Sequence, residues 1–465
     1  MNKKDSRFNQ QKMQISHRKN GNFSKYITIM NIINNNNFQR KIVILLFLLG
    51  LILLTIFREH DFFNLWTRFT SKPAFGRDFS AYHAGAVALS EKRSDLIYNN
   101  QSLEQWLKKG NMNNWLPGEY PPFVDFLFLP LAKYPLYKAI KIQLLMNLIF
   151  LISSISILIF CFLKKFKLWQ KYLLLFLFIP ITLFFSPVID CLFSGQFTAL
   201  LFLLITLFSV YYVNDKIIPA AFFLGIAISL KLYPAFFLIY FLIKKDYKSL
   251  FWTSLFTIFL NVLVIIYTFN MNFYLEYFKT FSQISKIAGY YANQSLLSFI
   301  NSLILNNNNV STPYVKTISN LVILIIFCLM AYFTLRFSSK TGKNKECICL
   351  EISSVILFIL LILPRSWPHY HIFIIISLFL IYSVIDDSLK NYFLYFILFV
   401  LLFFVIGLFD GEVASRKADI LFRCFLFINY FFSYVLLLLW LLNIIIMKKW
   451  MDLSNNEESG NKVHN

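Results

Sequence analysis

Long apolar runs separated by short polar connections dominate the chain between residues 41 and 447. The runs are about 15 to 25 residues long, which is the length of a helix that crosses a hydrocarbon core of about 30 Å. Apolar residues are continuous within each run instead of alternating with polar ones, as they would in membrane strands. The pattern therefore predicts an all-α protein, a polytopic bundle of transmembrane helices.

We predict about twelve spans from these runs, with both termini in the cytoplasm because Lys and Arg gather at one set of span ends. The predicted spans are Lys41–Phe57, Lys138–Leu163, Tyr172–Phe185, Phe197–Val213, Ile217–Leu230, Pro234–Ile243, Leu250–Phe269, Thr317–Leu335, Ile348–Leu363, Ile372–Ile385, Tyr392–Leu408 and Ile420–Met447.

Three regions follow from this topology. Residues 1–40 form a basic, Asn-rich tail that we expect to be disordered and cytoplasmic, residues 41–447 form one membrane domain, and residues 448–465 form a second cytoplasmic tail. The first tail is too long and polar for the start of a signal peptide, so the first span is expected to stay as an anchor.

The longest predicted extracytoplasmic loop comes first, at residues 58–120. It carries two predicted short helices, near Phe79–Glu91 and Ser102–Lys108. The apolar stretch Val124–Ala132 behind it is too short to span and is predicted to be re-entrant or a half helix. We expect Ser186–Gln196 to be a short turn and Asn270–Lys316 to be a second outer loop.

Composition supports a membrane protein and excludes other classes. Hydrophobic residues make up 58% of the 465 residues and charged residues 14%, against about a quarter in soluble proteins. The net charge of +21 does not indicate a nucleic-acid partner, because the cations gather in the first tail and in loops on one side. The six cysteines show no disulfide framework and no zinc-ligand spacing.

Polar and titratable residues that interrupt apolar sequence fall almost entirely on the predicted outer side. They come from six different connections, and ionisable groups near a membrane are costly, so a set on one face suggests a shared polar cavity. The set comprises Asp78, Glu119, Asp190, Gln196, Lys231, Asn293, Arg365, His369 and His371.

Each of these residues, taken alone, also has a purely structural interpretation. Asp78 could be a solvated carboxylate or an ion-pair partner of Arg77. Lys231 could be a side chain at a span end whose ammonium group extends to the membrane interface. His369 is compatible with a hydrogen-bonded interfacial histidine. Gln196 and Asn293 are compatible with hydrogen bonds between helices. Only the set as a whole indicates a site.

The order of short motifs in the chain resembles the GT-C superfamily of glycosyltransferases that use polyprenyl-phosphate sugars, and within it family 87. The matching stretches, none of them specific alone, cover residues 76 to 371, and the last spans are only generically similar. They are Arg77-Asp78-Phe79, Tyr120-Pro121-Pro122, Ser194-Gly195-Gln196, Gly225 to Pro234 around Lys231, Asn293-Gln294-Ser295 and Ser366-Trp367-Pro368-His369-Tyr370.

The resemblance implies a GT-C-type fold and transfer of a sugar, mannose-like, from a polyprenyl-phosphate donor to a glycan or glycolipid acceptor on the outer face of the cell membrane. It implies Asp78 as the catalytic base and Lys231, Arg365 and His369 as donor phosphate ligands. The remaining site residues are assigned to substrate binding, namely Tyr82, Glu119, Tyr120, Gln196, Asn293, Gln294 and His371.

The residue types agree with that chemistry. Transfer from a lipid phosphate needs an apolar groove, cations for the phosphate, and a base for the acceptor hydroxyl. Asp78 lies near the start of a predicted helix, which favours its ionised form. A single carboxylate and a phosphate leaving group predict one displacement with inversion.

The chain has no D-x-D metal motif of nucleotide-sugar enzymes on the outer side. We therefore expect no nucleotide-sugar donor, no required metal and no cofactor. One departure from the family pattern concerns the last motif, where adjacent histidines are common and this chain reads His369-Tyr370-His371. We align His369 with the first histidine and leave open which of the two acts.

Other functions remain compatible with a polytopic chain. A transporter or flippase of lipid-linked glycans would carry polar groups near the bilayer midplane and show repeated halves, and neither is evident. A polysaccharide polymerase or ligase would usually concentrate its chemistry in one large late outer loop, whereas the long loop here comes first. A structural membrane subunit would not need the one-sided polar set.

Overall fold

The computed structural model describes residues 76–109, 119–183, 185–284, 293–295, 313–340, 344–363, 365–385 and 435–449. Every regular element in these ranges is a helix, which confirms the all-α class. The first tail, the first and eleventh predicted spans, about half of the twelfth and all of the last tail after residue 449 lie outside the described residues, so those predictions stay predictions.

The first predicted outer loop contains the helices that were expected there. Helix α1 (Arg77–Ser90) and helix α2 (Asn100–Lys109) each begin two residues before the predicted start, and their last residues are within one position of the predicted ends. The stretch after Pro121 folds into two short helices, α3 (Pro122–Leu127) and α4 (Leu129–Ala132), in place of a span. Both pack against α1.

The apolar runs that follow form the helices of the bundle. Proline or an N-capping residue begins several of them, since Pro135 precedes α5 and the Asp246 side chain accepts from the Ser249 amide at the start of α11. In chain order they are α5 (Leu136–Phe162), α6 (Leu168–Leu183), α7 (Ser186–Ser194), α8 (Thr198–Val213), α9 (Ile217–Leu230), α10 (Phe236–Ile243), α11 (Tyr247–Thr268), α12 (Asn272–Ile284), α13 (Pro313–Lys340), α14 (Lys345–Ile362) and α15 (Ile374–Val384), with residues 435–449 also helical.

Two helices, α5 and α11, are long and apolar enough to cross a membrane, and the bent pair α6 and α7 makes a third if it counts as one span. The axes of that pair differ by 61°. Shorter apolar helices include α8, α9 and the stretch from Pro368 to Val384. The described chain is therefore that of a multi-pass membrane protein, and the number of about twelve spans stays a prediction.

Two connections differ from the sequence prediction because each contains a helix. Ser186–Gln196, expected to be a turn, forms α7, which Pro187 opens in the first turn and Gly195 closes in the left-handed conformation. The outer loop expected from Asn270 contains α12, in which Phe273 and Tyr277 recur at helical spacing and are buried.

Helix α8 lies at the centre of the described bundle. It packs against α5 on one side and α9 on the other, and α9 packs against α11. Helix α14 packs against α15, and the 3₁₀ turn Pro368–Phe373 before α15 lies against α7. These contacts bring the start of α1, the end of α7, the end of α9 and the 3₁₀ turn to the same end of the bundle.

Candidate active site

Two glycines let the backbones at the start of α1 and the end of α7 touch. Gly76 and Gly195 both adopt positive φ values, 68° and 72°, which residues with a side chain rarely do. A Cβ on Gly195 would lie 2.8 Å from the Phe79 Cβ and 3.1 Å from the Gly76 Cα. The Gly76 amide donates to the Phe193 carbonyl at 3.0 Å. This contact brings Asp78 and Gln196 together across 118 residues of chain.

The Gln196 side chain is the hub of the site. Its Nε2 donates to Asp78 Oδ2 at 2.6 Å and to the Tyr120 hydroxyl at 3.0 Å. Its Oε1 accepts from the Tyr82 hydroxyl at 2.7 Å. This orientation of the amide gives the carboxylate a donor and the phenol an acceptor. Asp78 in the first turn of α1 also gains from the helix dipole.

Polar residues of α5 hold the hub from behind. The Asn147 Nδ2 donates to the Gln196 carbonyl at 2.8 Å, and the Gln143 Nε2 donates to the Asn147 Oδ1 at 3.2 Å. Both side chains are buried. A polar pair inside an apolar helix is costly unless its hydrogen bonds are made, so these contacts fix the backbone that carries Gln196.

Asp78 contacts the nitrogen of the Gln196 amide, and Lys231 lies next to the oxygen of the same amide. Lys231 follows the last residue of α9 in an extended conformation and is 5% exposed. Its Nζ donates to the Tyr370 hydroxyl at 3.1 Å and lies 3.5 Å from Gln196 Oε1. The Tyr370 and Phe197 rings lie 4.3 and 5.1 Å from the Nζ, at cation–π distance. Burial lowers the pKa of Lys231 to about 7, and the charge of Asp78 opposes this shift.

The phenols beside Asp78 stay protonated. Burial raises the pKa of Tyr82 and of Tyr120, and the nearby Asp78 carboxylate raises both further. Their rings contact each other edge to face at 4.6 Å. They therefore form a wall of neutral hydroxyl groups on one side of the carboxylate.

A histidine and a carboxylate form a second polar pair next to Tyr370. Asp190 Oδ2 accepts from both the backbone amide of His369, at 3.2 Å, and its Nδ1, at 2.8 Å. The His369 Nε2 is buried without a hydrogen-bond partner among the described residues. Asp190 thus favours the tautomer in which Nδ1 carries the proton and Nε2 is available to a ligand.

The remaining predicted site residues lie in two other groups. Arg365 and Glu119 form an ion pair at the rim, with 3.4 Å between Nη1 and Oε2. The Asn293 Oδ1 accepts from the Ser366 amide at 2.8 Å, and the Gln294 amide donates to the Ser366 carbonyl at 2.7 Å. The N-Q-S segment is therefore paired with the chain immediately before His369.

The sequence left open whether His369 or His371 acts in the site, and the two side chains have different surroundings. His369 contacts Asp190 and the Tyr370 ring, whereas the His371 Nδ1 lies 3.2 Å from the carbonyls of Trp367 and Pro368 in its own 3₁₀ turn. Of the other candidates, Asp78, Tyr82, Tyr120, Gln196 and Lys231 form one cluster. Arg365 and Glu119 contact each other, and no contact links either to Gln196 or Lys231 in the part of the chain described.

Sequence reasoning left several site residues without a role. Asp190 belonged to the one-sided polar set but was not placed beside His369, and Tyr370 lay inside a quoted motif. Gln143 and Asn147 were missed, although two amides spaced four residues apart in an apolar span are a signal for a hydrogen-bonded site.

The arrangement presents opposite charges on two sides of one amide. Asp78 is partly exposed and is suited to accept a proton from a hydroxyl group of a ligand. Lys231 is suited to bind an anion. A small apolar groove adjoins Lys231 through Tyr233, whose ring lies 5.4 Å from that of Tyr370. The groove is lined by Ile205, Tyr233, Phe237, Ile356, Leu360 and Phe373, among others.

Comparison with known proteins gives one match. The model of glycosyltransferase family 87 matches residues 119–364, slightly more than half of the chain. No curated protein and no solved structure matches. The matched region contains Tyr120, Gln196 and Lys231 but ends before His369 and begins after Asp78. The match covers more than half of this multi-pass membrane protein, and it includes Gln196 and Lys231. The chain therefore belongs to glycosyltransferase family 87.

Proposed function

We propose that this glycosyltransferase moves a sugar, mannose-like, from a polyprenyl-phosphate donor to a hydroxyl group of a glycan or glycolipid. The reaction takes place on the extracytoplasmic face of the cell membrane, proceeds with inversion at the anomeric carbon and needs no metal. One observation carries the proposal, namely that Asp78 and Lys231 approach the same Gln196 side chain from opposite sides.

Asp78 is the general base of the proposed reaction. As the acceptor oxygen attacks the anomeric carbon, its proton passes to the Asp78 carboxylate and the bond from that carbon to the phosphate oxygen breaks. Gln196 holds Oδ2 at 2.6 Å, which leaves the other carboxylate oxygen for the acceptor. The carboxylate also stabilises the positive character that develops on the sugar ring.

Lys231 receives the phosphate that leaves. Its ammonium stabilises the growing charge on the phosphate oxygens, and His369 adds a second contact when its ring carries a proton on Nε2 as well as on Nδ1. The small groove next to Tyr233 has an entirely apolar lining, and in the proposal the first part of the polyprenyl chain lies against this surface. Tyr370 joins these parts, because its hydroxyl contacts Lys231 and its ring contacts both Tyr233 and His369.

A release assay tests the donor class. The purified full-length protein in nanodiscs is offered a panel of synthetic polyprenyl-phosphate sugars with membrane glycolipid as acceptor, and free polyprenyl phosphate is measured by mass spectrometry. We expect release with one sugar, unaffected by a chelator. Product from a nucleotide sugar, with none from any lipid-phosphate sugar, would contradict the proposed donor.

Matched controls separate transfer from transport. Asp78→Asn is expected to bind the donor and release polyprenyl phosphate far more slowly, whereas Arg77→Gln, at the exposed neighbouring position, is expected to behave like the wild type. Movement of an intact lipid-linked sugar across proteoliposome membranes without release would instead identify a flippase.

A further inference from the structure

Helix α12 has three distinct faces. At about 100° per residue, Phe273 and Tyr277 fall on one arc. Both are buried, with 1% and 3% exposure. Apolar side chains that remain exposed occupy a second arc of roughly 120°, and polar ones occupy a third. The exposed apolar arc consists of Leu275, Phe278 and Phe281, with Met271 directly before the helix, and the exposed polar arc consists of Asn272, Glu276 and Lys279.

The buried arc fixes α12 to the outer loop that contains α1. The Tyr98 ring lies 5.3 Å from the Phe273 ring and 5.8 Å from the Tyr277 ring. The Asn270 Nδ2 donates to the Ser94 Oγ at 3.2 Å. Ser94 and Tyr98 belong to the connection that follows α1, and the Tyr98 hydroxyl donates to the carbonyl of Tyr120, a residue of the candidate site, at 2.5 Å. Helix α12 is therefore on the same side of the bundle as the candidate active site.

The position of α12 along α11 is also fixed. The Tyr274 hydroxyl donates to the Asn261 Oδ1 at 2.7 Å, and Asn261 precedes the last residue of α11 by seven positions. Seven residues of helix span about 10 Å. Helix α12 therefore lies beside the last two turns of a membrane-crossing helix and does not project away from its end.

The exposed apolar surface continues from α11 into α12. Val262 and Ile266 of α11 are 40% and 57% exposed, and Phe269, at the left-handed turn between the helices, is 91% exposed. Met271 and Leu275 follow at 75% and 58%. The exposed apolar arc of α12 thus extends the lipid-facing side of α11. The polar arc beside it carries the exposed Glu276–Lys279 ion pair.

We propose that α12 is an interfacial helix, embedded in the bilayer leaflet on the side of the candidate active site. Met271, Leu275 and Phe278 contact acyl chains, Glu276 and Lys279 face water, and Phe273 and Tyr277 face the protein. Three environments around one helix match its three arcs. Because α12 is clamped to the connection after α1 and packs against α3, its depth sets the height of Asp78 relative to the lipid headgroups.

Lipid photolabelling of the wild-type chain in nanodiscs tests this proposal. The nanodiscs contain a phosphatidylcholine with a photoreactive acyl chain, and labelled residues within 270–284 are mapped by mass spectrometry. We expect label on Met271, Leu275 and Phe278 and severalfold less on Phe273 and Tyr277. Met271 is expected to resist a water-soluble oxidant in nanodiscs.

Two other outcomes would overturn the proposal. Absence of label with rapid oxidation of Met271 would place the face in water, and absence of label with protected Met271 would mean that a second copy or another protein covers it. A variant pair adds a matched comparison. Leu275→Glu/Phe278→Glu is expected to reduce acyl-chain labelling of the segment severalfold, while Asn272→Glu on the exposed polar arc leaves it unchanged.

Discussion

Polar clusters lie at both ends of the helices α8 to α10, and they differ in how completely their groups are paired. At the end opposite the candidate site, the buried Glu351 contacts Lys244 in an ion pair and accepts from the Tyr240 hydroxyl at 2.5 Å. Tyr212 donates to Asp246, which also caps α11. Each charge in this opposite-end cluster has a partner within the protein.

The site-end cluster contains polar atoms that have no hydrogen-bond partner among the described residues. Asp78 and Asp190 are partly exposed, and the His369 Nε2 and the Tyr233 hydroxyl are buried without a hydrogen-bond partner among the described residues. Leaving a buried polar atom unpaired costs about 1 to 3 kcal/mol, so such atoms are retained where a ligand completes them. The difference in pairing supports the proposal that the site-end cluster binds a ligand.

The largest effect is expected at the proposed base. Asp78→Asn keeps an oxygen for Gln196 but cannot take a proton, so turnover is expected to fall about 10²- to 10⁴-fold, the usual contribution of general base catalysis. Polyprenyl-phosphate release measures it, and donor binding by titration is expected to change little. Wild-type turnover in this variant would exclude Asp78 as the base.

Substitutions in the opposite-end cluster are expected to lower the free energy of unfolding without changing the donor KM. Glu351→Ala leaves Lys244 as a partly buried, unpaired charge, which is expected to cost about 3 to 5 kcal/mol of the free energy of unfolding. Thermal unfolding in detergent measures this as a lower midpoint, while the donor KM of the folded fraction stays constant. The double variant Glu351→Leu/Lys244→Met is expected to recover most of the loss.

Lys231 is expected to make donor use depend on pH. Its pKa of about 7 means that the ammonium form, which binds phosphate, is lost as pH rises through that value. We expect the donor KM to rise between pH 6 and pH 9. Lys231→Arg keeps its charge and is expected to flatten the profile, whereas Lys231→Ala is expected to raise KM most below pH 7, where the wild type carries the ammonium charge. A steep profile in the arginine variant would assign the dependence to another group.

A smaller effect is expected at Asp190, which acts through His369. Asp190→Asn keeps a hydrogen-bond acceptor but removes the charge that holds the imidazole. We expect kcat/KM for the donor to fall about tenfold, equivalent to about 1.4 kcal/mol. Asp190→Glu is expected to restore part of it. Equal losses in Asp190→Asn and in Asp190→Glu, with a lower unfolding midpoint, would indicate a structural role only.

The smallest effect is expected on stability at the rim. The Arg365–Glu119 pair is partly exposed, so Glu119→Gln and Arg365→Gln are each expected to change unfolding free energy by less than about 1 kcal/mol. Activity then sharpens the sequence prediction. Arg365→Gln raises the donor KM only if Arg365 binds phosphate, whereas Glu119→Gln serves as the matched control.

Much of the helical architecture was predictable, because apolar runs such as Ile217–Leu230 match the helix boundaries of α9. The helix α7 was not, since nine residues between two spans carry too little periodicity to distinguish a helix from a turn. The sequence predicted that Asp78, Gln196 and Lys231 lie at one face, because all three fall on the predicted outer side of the membrane. Their individual partners were not, because hydrogen bonds such as that from Asn147 to Gln196 depend on how the helices pack.

The glycine contact between the start of α1 and the end of α7 has a consequence for the order of folding. Asp78 leaves the ribosome well before Gln196, and the Gly76 amide has no Phe193 carbonyl to meet until α5, α6 and α7 have been inserted. Closing a segment of this length is a late, non-local event. The nascent chain therefore acquires its first helices before the contact between Asp78 and Gln196, and truncation ahead of α7 is expected to yield an inserted protein without this contact.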